Sequence, residues 1–353
     1  MRNYDYEVKW EKLLTPEIVS FLTKIHEYKG QQHLIANRHA DVLTDLVELA
    51  LIQSTESSNK IEGIYTSDER LKKIVMDKTI PCTRDEREIA GYRDVLNTIH
   101  ENYVHIPVKP SLILQLHRDL YKFENAGIGG NFKIVNNIIE EQGPEGNKLV
   151  RFQPVAAWET PEAVERLCEA YNNAIHHTIA DPLLLIPMFI LDFLCIHPFR
   201  DGNGRMSRLI TLLLLYKSGY LVGKYISIER LIEQTKDSYY DVLQESSGGW
   251  HEEKNDYAPF VKYMLGIIAA AYNDFIVRTK LIEEKRVPKP DRIAEEIKNH
   301  IGAVTKAELL KVVPNVSQTT VQRTLTELVK QEKIKKIGEG RYTKYTWNWD
   351  KEN

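Results

Sequence analysis

The sequence predicts a mainly α-helical protein with one β-hairpin near its middle and a small separate unit at its C-terminus. Three observations carry this. Most of the 353 residues show apolar side chains at helical spacing. One glycine-rich stretch, Gly127 to Val155, breaks that pattern with β-branched runs around a Gly-Pro-Glu-Gly turn. Near Val287–Pro290 a long apolar helix gives way to the charged, proline-containing "EEKRVPKPDR", which predicts a domain boundary.

Taken in order, "HADVLTDLVELALIQS" sets Val42, Leu43, Leu46, Leu49 and Ala50 on one stripe of a long N-terminal helix, and "REIAGYRDVLNTIHENY" repeats the periodicity. Pro16, Pro110 and Pro161 each precede an amphipathic run, the favoured place for proline in a first helical turn. The hairpin is expected to pair Phe132–Glu140 with Leu149–Gln153. "PLLLIPMFILDFLCI", Pro182 to Ile196, is too short for a bilayer span and carries Pro187 and Asp192, so it reads as a buried helix. "RMSRLITLLLLYKSG" reads as a second one, with Leu209, Leu212, Leu213 and Tyr216 turned inward and its end at Gly219. A long helix starts at about Tyr257. After the boundary come three short helices, the last two capped by Thr305 and Ser317, and two strands about a Gly-Glu-Gly turn.

Composition excludes some functions. With 42% hydrophobic residues, 27% charged residues and a net charge of −3, the chain is not basic throughout, so any nucleic-acid contact must be local. The start "MRNYDYEVKWEKLL" lacks the apolar core of a signal peptide, and a cytoplasmic protein that does not engage membranes is expected. Cys82, Cys168 and Cys195 are too dispersed for a disulfide framework or a zinc site. His176, His177 and His251 lack metal-ligand spacing.

The chemistry is concentrated in "HPFRDGNGRMSR", His197 to Arg208. Gly202, Asn203 and Gly204 fall at a helix N-terminus, where unpaired N–H groups and the positive dipole end attract phosphate. Arg205 and Arg208 are three apart on that helix and suit further phosphates. Asp201 suits a hard cation such as Mg²⁺, and His197 can accept a proton at neutral pH. A base beside a metal-bound polyphosphate suggests transfer of a phosphate-bearing group to a hydroxyl.

The stretch resembles the signature of Fic-domain proteins, His-x-Phe-x-Asp/Glu-Gly-Asn-Gly-Arg-x-x-Arg, at every specified position. Eight such matches arise by chance on the order of once in ten billion windows at average composition. The resemblance implies a mainly α Fic helical core (81–286), with a β-hairpin flap (130–154) and the motif (197–208), that transfers AMP from ATP to a Ser, Thr or Tyr hydroxyl on a target protein or on itself. His197 would be the base and Phe199 the anchor of the loop. Asp201 would bind Mg²⁺. Gly202, Asn203, Gly204, Arg205 and Arg208 would hold the phosphates, and Gly204, where related kinases carry lysine, favours nucleotidyl transfer. Phe132, Lys133 and Ile138 would belong to the target-docking flap. Tyr239 and Tyr240 resemble a nucleotide-contacting tyrosine pair, while "ESSGG" stands where the family often has an asparagine.

"SSNKIEGIY" resembles the family's inhibitory helix, Ser/Thr-x-x-x-Glu-Gly, with Ser58, Glu62 and Gly63 in the three places, within an N-terminal helical region of residues 1–80. Glu62 would pair with Arg208 and hold the enzyme inactive; it could also position water for removal of AMP. A homodimer is left open as a means of controlling release of that helix. Residues 287–353 resemble a winged helix-turn-helix. Between Lys285 and Trp349 fourteen Lys/Arg face seven Asp/Glu, an excess of seven positive charges. In a DNA-binding reading Gln318, Thr319, Gln322 and Arg323 would meet the major groove and Arg341 and Lys344 the phosphates. The alternative for the whole chain is a DNA-binding regulator that senses nucleotide without turnover.

Overall fold

The computed structural model describes residues 2–349 except 39, 125–126, 143–147, 287, 301, 314–315 and 341–342; side chains at 36–42, 141–149 and 281–287 also lie outside the described residues. Contacts divide the chain into two units, Met1–Val277 and Arg278–Asn353.

In the first unit a short α1 (Tyr6–Lys9) leads to α2 (Pro16–Arg38) and α3 (Ala40–Ile61), then to α4 (Asp68–Val75), α5 (Arg84–Asn102) and α6 (Pro110–Leu120). The Ser67 and Thr83 side chains cap α4 and α5 by accepting the N–H of Arg70 and Glu86. Next come β1 (Ile139–Gln142) and β2 (Lys148–Phe152), an antiparallel pair with Ile139 opposite Phe152. The hairpin is shorter than expected. Residues 132–138 are not strand, because they are spent on the loop that follows Ile196: the Lys133 N–H donates to Pro198 O at 2.9 Å.

The remaining helices are α7 (Thr160–His176), α8 (Pro182–Ile196), α9 (Asn203–Lys217), α10 (Ile228–Gln234), α11 (Lys236–Ser247) and α12 (Ala258–Arg286). Helices α8 and α9 lie at the centre of the core and are almost entirely buried, which is why α8, and α9 from Leu209 to Leu215 apart from Thr211, are apolar all round rather than striped. Each fully buried Leu, Ile or Phe there is worth about 1.5–3 kcal/mol. Within α8 the carboxylate of Asp192, fully buried, accepts from Tyr6 Oη at 2.6 Å, Trp250 Nε1 at 2.6 Å and Tyr257 Oη at 2.9 Å, with Arg2 Nε at 3.5 Å. Its charge is thereby matched, and the N-terminal segment is tied to α8. The stretch Ala258–Lys280 of α12 is long and apolar enough to cross a membrane, and 61% of its most apolar window is buried inside the protein, as in a core helix. All three cysteines are free thiols.

The C-terminal unit contains α13 (Lys289–Asn299), β3 (Val304–Thr305), α14 (Lys306–Val312), α15 (Gln318–Lys330), β4 (Ile334–Ile337) and β5 (Lys344–Trp347). Its strands form an antiparallel sheet in the order β3-β5-β4. Its own core includes Ile293, Ile297, Leu309, Val321, Leu325 and Tyr345. Thr305 and Glu308 make a reciprocal capping box on α14, and Ser317 caps α15.

Candidate active site

His197 closes α8 in the left-handed conformation, φ 51° and ψ 62°, with its N–H on Phe193 O. Its Nδ1 lies 3.3 Å from Leu194 O, which assigns the ring proton to Nδ1 and leaves Nε2 as an acceptor. Burial, opposed by that carbonyl, pushes the imidazole down to about 4, so it is neutral at physiological pH. Phe199 is fully buried, stacked 3.7 Å from the His117 ring and 6.1 Å from Phe132. The Asn203 side chain accepts from Phe199 N–H at 2.9 Å and donates to Phe199 O at 2.8 Å, closing the loop back on itself.

Gly202, at φ 81°, starts α9; a β-carbon there would also meet Tyr121 Oη at 2.9 Å. The first helical bond of α9 runs from Met206 N–H to Gly202 O, so the N–H groups of Asn203, Gly204 and Arg205 precede the ladder, an arrangement that suits an anion. The Gly202 N–H is taken by Asp201 Oδ1 at 2.6 Å.

One turn into α9, Arg208 is 4% exposed and held through Nε and Nη2. Its Nη2 donates to Glu62 Oε1 at 2.7 Å and to Ser58 O at 2.9 Å, and its Nε to Ser58 Oγ at 2.8 Å. Glu62 follows the last residue of α3, and Gly63 at φ 79° ends the helix behind it. A β-carbon at Gly204 would stand 2.2 Å from Glu62 Oε1, so a larger residue would push the carboxylate off its present position on Arg208. Lys236 Nζ pins the end of α3 by donating to Ile61 O at 2.8 Å. Glu62, His197, Gly204, Arg208, Tyr239 and Tyr240 converge on one cavity of about 420 Å³, a volume suited to a small-molecule ligand.

Three of the residues predicted from sequence, Arg205, Lys133 and Phe132, are placed differently. Arg205 does not line the cavity. It is 1% exposed, with Nη1 2.7 Å from Glu88 Oε2 as an ion pair off the hydrogen-bond geometry and Nη2 donating to Tyr121 Oη at 2.7 Å. Glu88 keeps Arg84 Nε at 2.8 Å but loses its buried partner, and Tyr121 Oη loses its donor, so Arg205→Leu should cost about 2–4 kcal/mol of stability. Equilibrium unfolding in denaturant reads this, and a loss below about 1 kcal/mol would refute the structural role. Lys133 is 4% exposed and turned under the motif loop, not outward for target docking. Phe132 is half-buried on Phe199 for the same reason. Ile138, by contrast, is exposed beside exposed Ile134 and Val135.

Asp201 is half exposed, 3.8 Å from Arg84 Nη2. Among the described residues no group of three or more His, Cys, Asp or Glu forms a metal site. A single carboxylate at a helix N-terminus nevertheless fits Mg²⁺, which takes one or two carboxylates and completes its shell with phosphates and water. In the C-terminal unit Gln318, Thr319, Gln322 and Arg323 are exposed on α15, Gln322 accepts from Lys306 Nζ at 2.9 Å, and Lys344 is exposed on β5. Arg341 lies outside the described residues.

Sequence reasoning missed Arg151, Asn137 and His117. Arg151, on β2, lines the cavity, donates to Tyr240 O and lies 5.3 Å from the Tyr240 ring centroid. Asn137 donates to Phe199 O at 3.1 Å, and His117 joins Asp201 O to the Gly130 N–H. No local pattern marks these residues; only the chain's return to the motif loop does.

Residues 107–215 match the Fic/DOC family. A Fido domain-containing protein of Dictyostelium discoideum is 32% identical over 96 residues, which are 25% of this chain and 67% of that protein. The chain belongs to the Fic/DOC family. A protein adenylyltransferase Fic of Culex quinquefasciatus is 30% identical over 134 residues, 38% of this chain, and one of Nematostella vectensis 20% over 247 residues, 67% of this chain. The match spans 24% and 51% of those two relatives' own lengths. Among solved structures, a Fic family protein of Desulfovibrio desulfuricans superposes with a TM-score of 0.63 at 21% identity over 95% of this chain and 97% of that one. Fic-1 of C. elegans gives 0.59 at 18% identity over 75% and 73%. These likenesses show the Fic fold, mainly helical as the sequence predicts.

Proposed function

We propose that the protein is an adenylyltransferase that moves AMP from ATP to a Ser, Thr or Tyr hydroxyl of a target protein, or of itself, and that Glu62 holds it inactive. The observation that carries this reading is the convergence, on one cavity, of a neutral imidazole, an open helix N-terminus and an arginine whose charge is taken by Glu62. Relatives named as adenylyltransferases support the reaction class.

In this reading the acceptor hydroxyl gives its proton to His197 Nε2 as its oxygen attacks the α-phosphorus. A new P–O bond forms to the acceptor, the bond to the β-phosphate bridging oxygen breaks, and pyrophosphate leaves with that electron pair. The N–H groups at the start of α9 stabilise charge on the phosphates, and Arg208 takes the terminal phosphate once Glu62 leaves. Asp201 would hold Mg²⁺, which supplies charge neutralisation on the phosphates when bound. Tyr239 and Tyr240 wall the nucleoside end. Ile138, with its exposed apolar neighbours, offers a docking edge for an extended target segment.

Labelled ATP tests the reaction. Protein-bound label from α-labelled but not γ-labelled ATP, in a Glu62→Gly variant, is the result expected; retention of the γ-label instead would make the protein a kinase.

We extend the reading to DNA at the C-terminal unit. The exposed Thr319, Gln322, Arg323 and Lys330 share the outer face of α15, and the unit's charge is positive. The intact protein should bind duplex DNA with an affinity that falls steeply with salt and is weakened by Lys344→Glu. No binding at low salt would remove DNA as a partner.

A further inference from the structure

His197 occupies a left-handed backbone conformation that glycine ordinarily supplies at a helix end. The surroundings must therefore hold it there. Each of four consecutive carbonyls around it, Ile196 to Phe199, accepts a hydrogen bond from one of two residues ahead of the hairpin, and Phe199 O takes a second from Asn203 Nδ2. Lys133 donates from Nζ to Ile196 O at 3.0 Å and from its backbone N–H to Pro198 O at 2.9 Å. Asn137 Nδ2 donates to His197 O at 3.4 Å and to Phe199 O at 3.1 Å.

The two side chains also fix each other. Lys133 Nζ donates to Asn137 Oδ1 at 2.8 Å, and because an ammonium can only donate, this contact turns the amide NH₂ toward the carbonyls. Burial pushes the Lys133 ammonium down to about 8, a penalty that a lysine serving only target contact on the surface would not carry.

We propose that Lys133 and Asn137 are positioning residues for the transfer reaction: they clamp the carbonyls from Ile196 to Phe199, hold His197 in its left-handed turn and so fix where Nε2 meets the acceptor hydroxyl. The inference rests on His197 being the base of the adenylyl transfer proposed above. The clamp does not touch Arg208 or the first N–H groups of α9. Its loss therefore misplaces the base while leaving the phosphate contacts in place.

The test uses the full chain in the Glu62→Gly background, with Lys133→Met, Asn137→Ala and Asn137→Asp. The aspartate keeps the acceptor for Lys133 and loses both donors, so it should behave like the alanine. Each variant is expected to lower the maximal rate of AMP incorporation by about ten- to a hundredfold, the scale of a misplaced reacting group. Half-saturation by ATP should stay within about twofold in each, since uniform binding is untouched. In ¹H–¹³C spectra the His197 ring signal, assigned by its loss in His197→Ala, should shift or split. If Lys133→Met fails to fold, the two Asn137 variants, at a partly exposed position, decide the matter. Maximal rate and His197 signal both unchanged in Asn137→Ala would overturn the proposal, as would a loss seen entirely in ATP half-saturation. If the Glu62→Gly parent transfers nothing, the adenylyl reading falls and the ring signal still judges the clamp.

Discussion

Replacing Glu62 with glycine should raise the rate of AMP incorporation by about ten- to a hundredfold. The magnitude follows from the contact removed. Glu62 Oε1 accepts a charge-assisted hydrogen bond from the buried Arg208 Nη2 at 2.7 Å, with the Glu62 side chain 31% exposed, and such bonds contribute about 1.5–3 kcal/mol. A nucleotide that needs Arg208 must first displace this carboxylate, and each 1.4 kcal/mol of that cost is about a factor of ten. In the glycine variant Arg208 keeps its place through the Ser58 Oγ and carbonyl contacts at 2.8 and 2.9 Å but loses its counter-charge, so it is presented ready for phosphate. Rates measured across ATP concentrations should show the gain, with tighter ATP binding beside it. Equal rates in the two proteins would remove the inhibitory role.

In that released background, His197→Ala should lower transfer by about 10²–10⁴-fold, the usual worth of a positioned general base, with ATP binding retained. The pH profile supplies an independent signature. The ring is pushed down to about 4, chiefly by burial against the ordinary ~6.5, with Lys133 lowering it further and the Leu194 carbonyl, Glu62 and Asp201 raising it. Its basic form is present above that value and is lost as pH falls through it. Transfer should therefore be nearly level from about pH 5 to 7 and decline on the acid side toward 4. A midpoint near 6.5 would mean that the base titrates as an exposed histidine, contrary to its burial.

The sequence was informative where function is local and silent where it is made by chain return. The motif is contiguous, so the glycines at the start of α9 could be read from twelve residues, and the family resemblance of the same stretch implied Phe199 as the buried anchor of the loop. The pairing of Glu62 with Arg208 spans 146 positions, and the resemblance of "SSNKIEGIY" to an inhibitory helix anticipated it. Spacing alone misled at Arg205: three residues from Arg208 puts both on related faces of a helix, but Glu88 and Tyr121, from α5 and the end of α6, draw Arg205 into the core. Lys133 misled in the same way, since a lysine in a polar stretch reads as surface until the motif loop is folded over it. The β-branched run placed the first hairpin strand too early because Lys133 and Asn137 bond to the loop after Ile196 and not to another strand.

The most direct test of the central claim is intact-mass spectrometry of the wild-type, Glu62→Gly and Glu62→Gly/His197→Ala proteins after incubation with Mg²⁺ and ATP. An added AMP mass in the Glu62→Gly protein, scarce in the wild type and absent from the double variant, is the result predicted. Equal AMP addition in the wild-type and Glu62→Gly proteins, or its persistence without His197, would contradict an adenylyltransferase that is driven by that base and restrained by that glutamate.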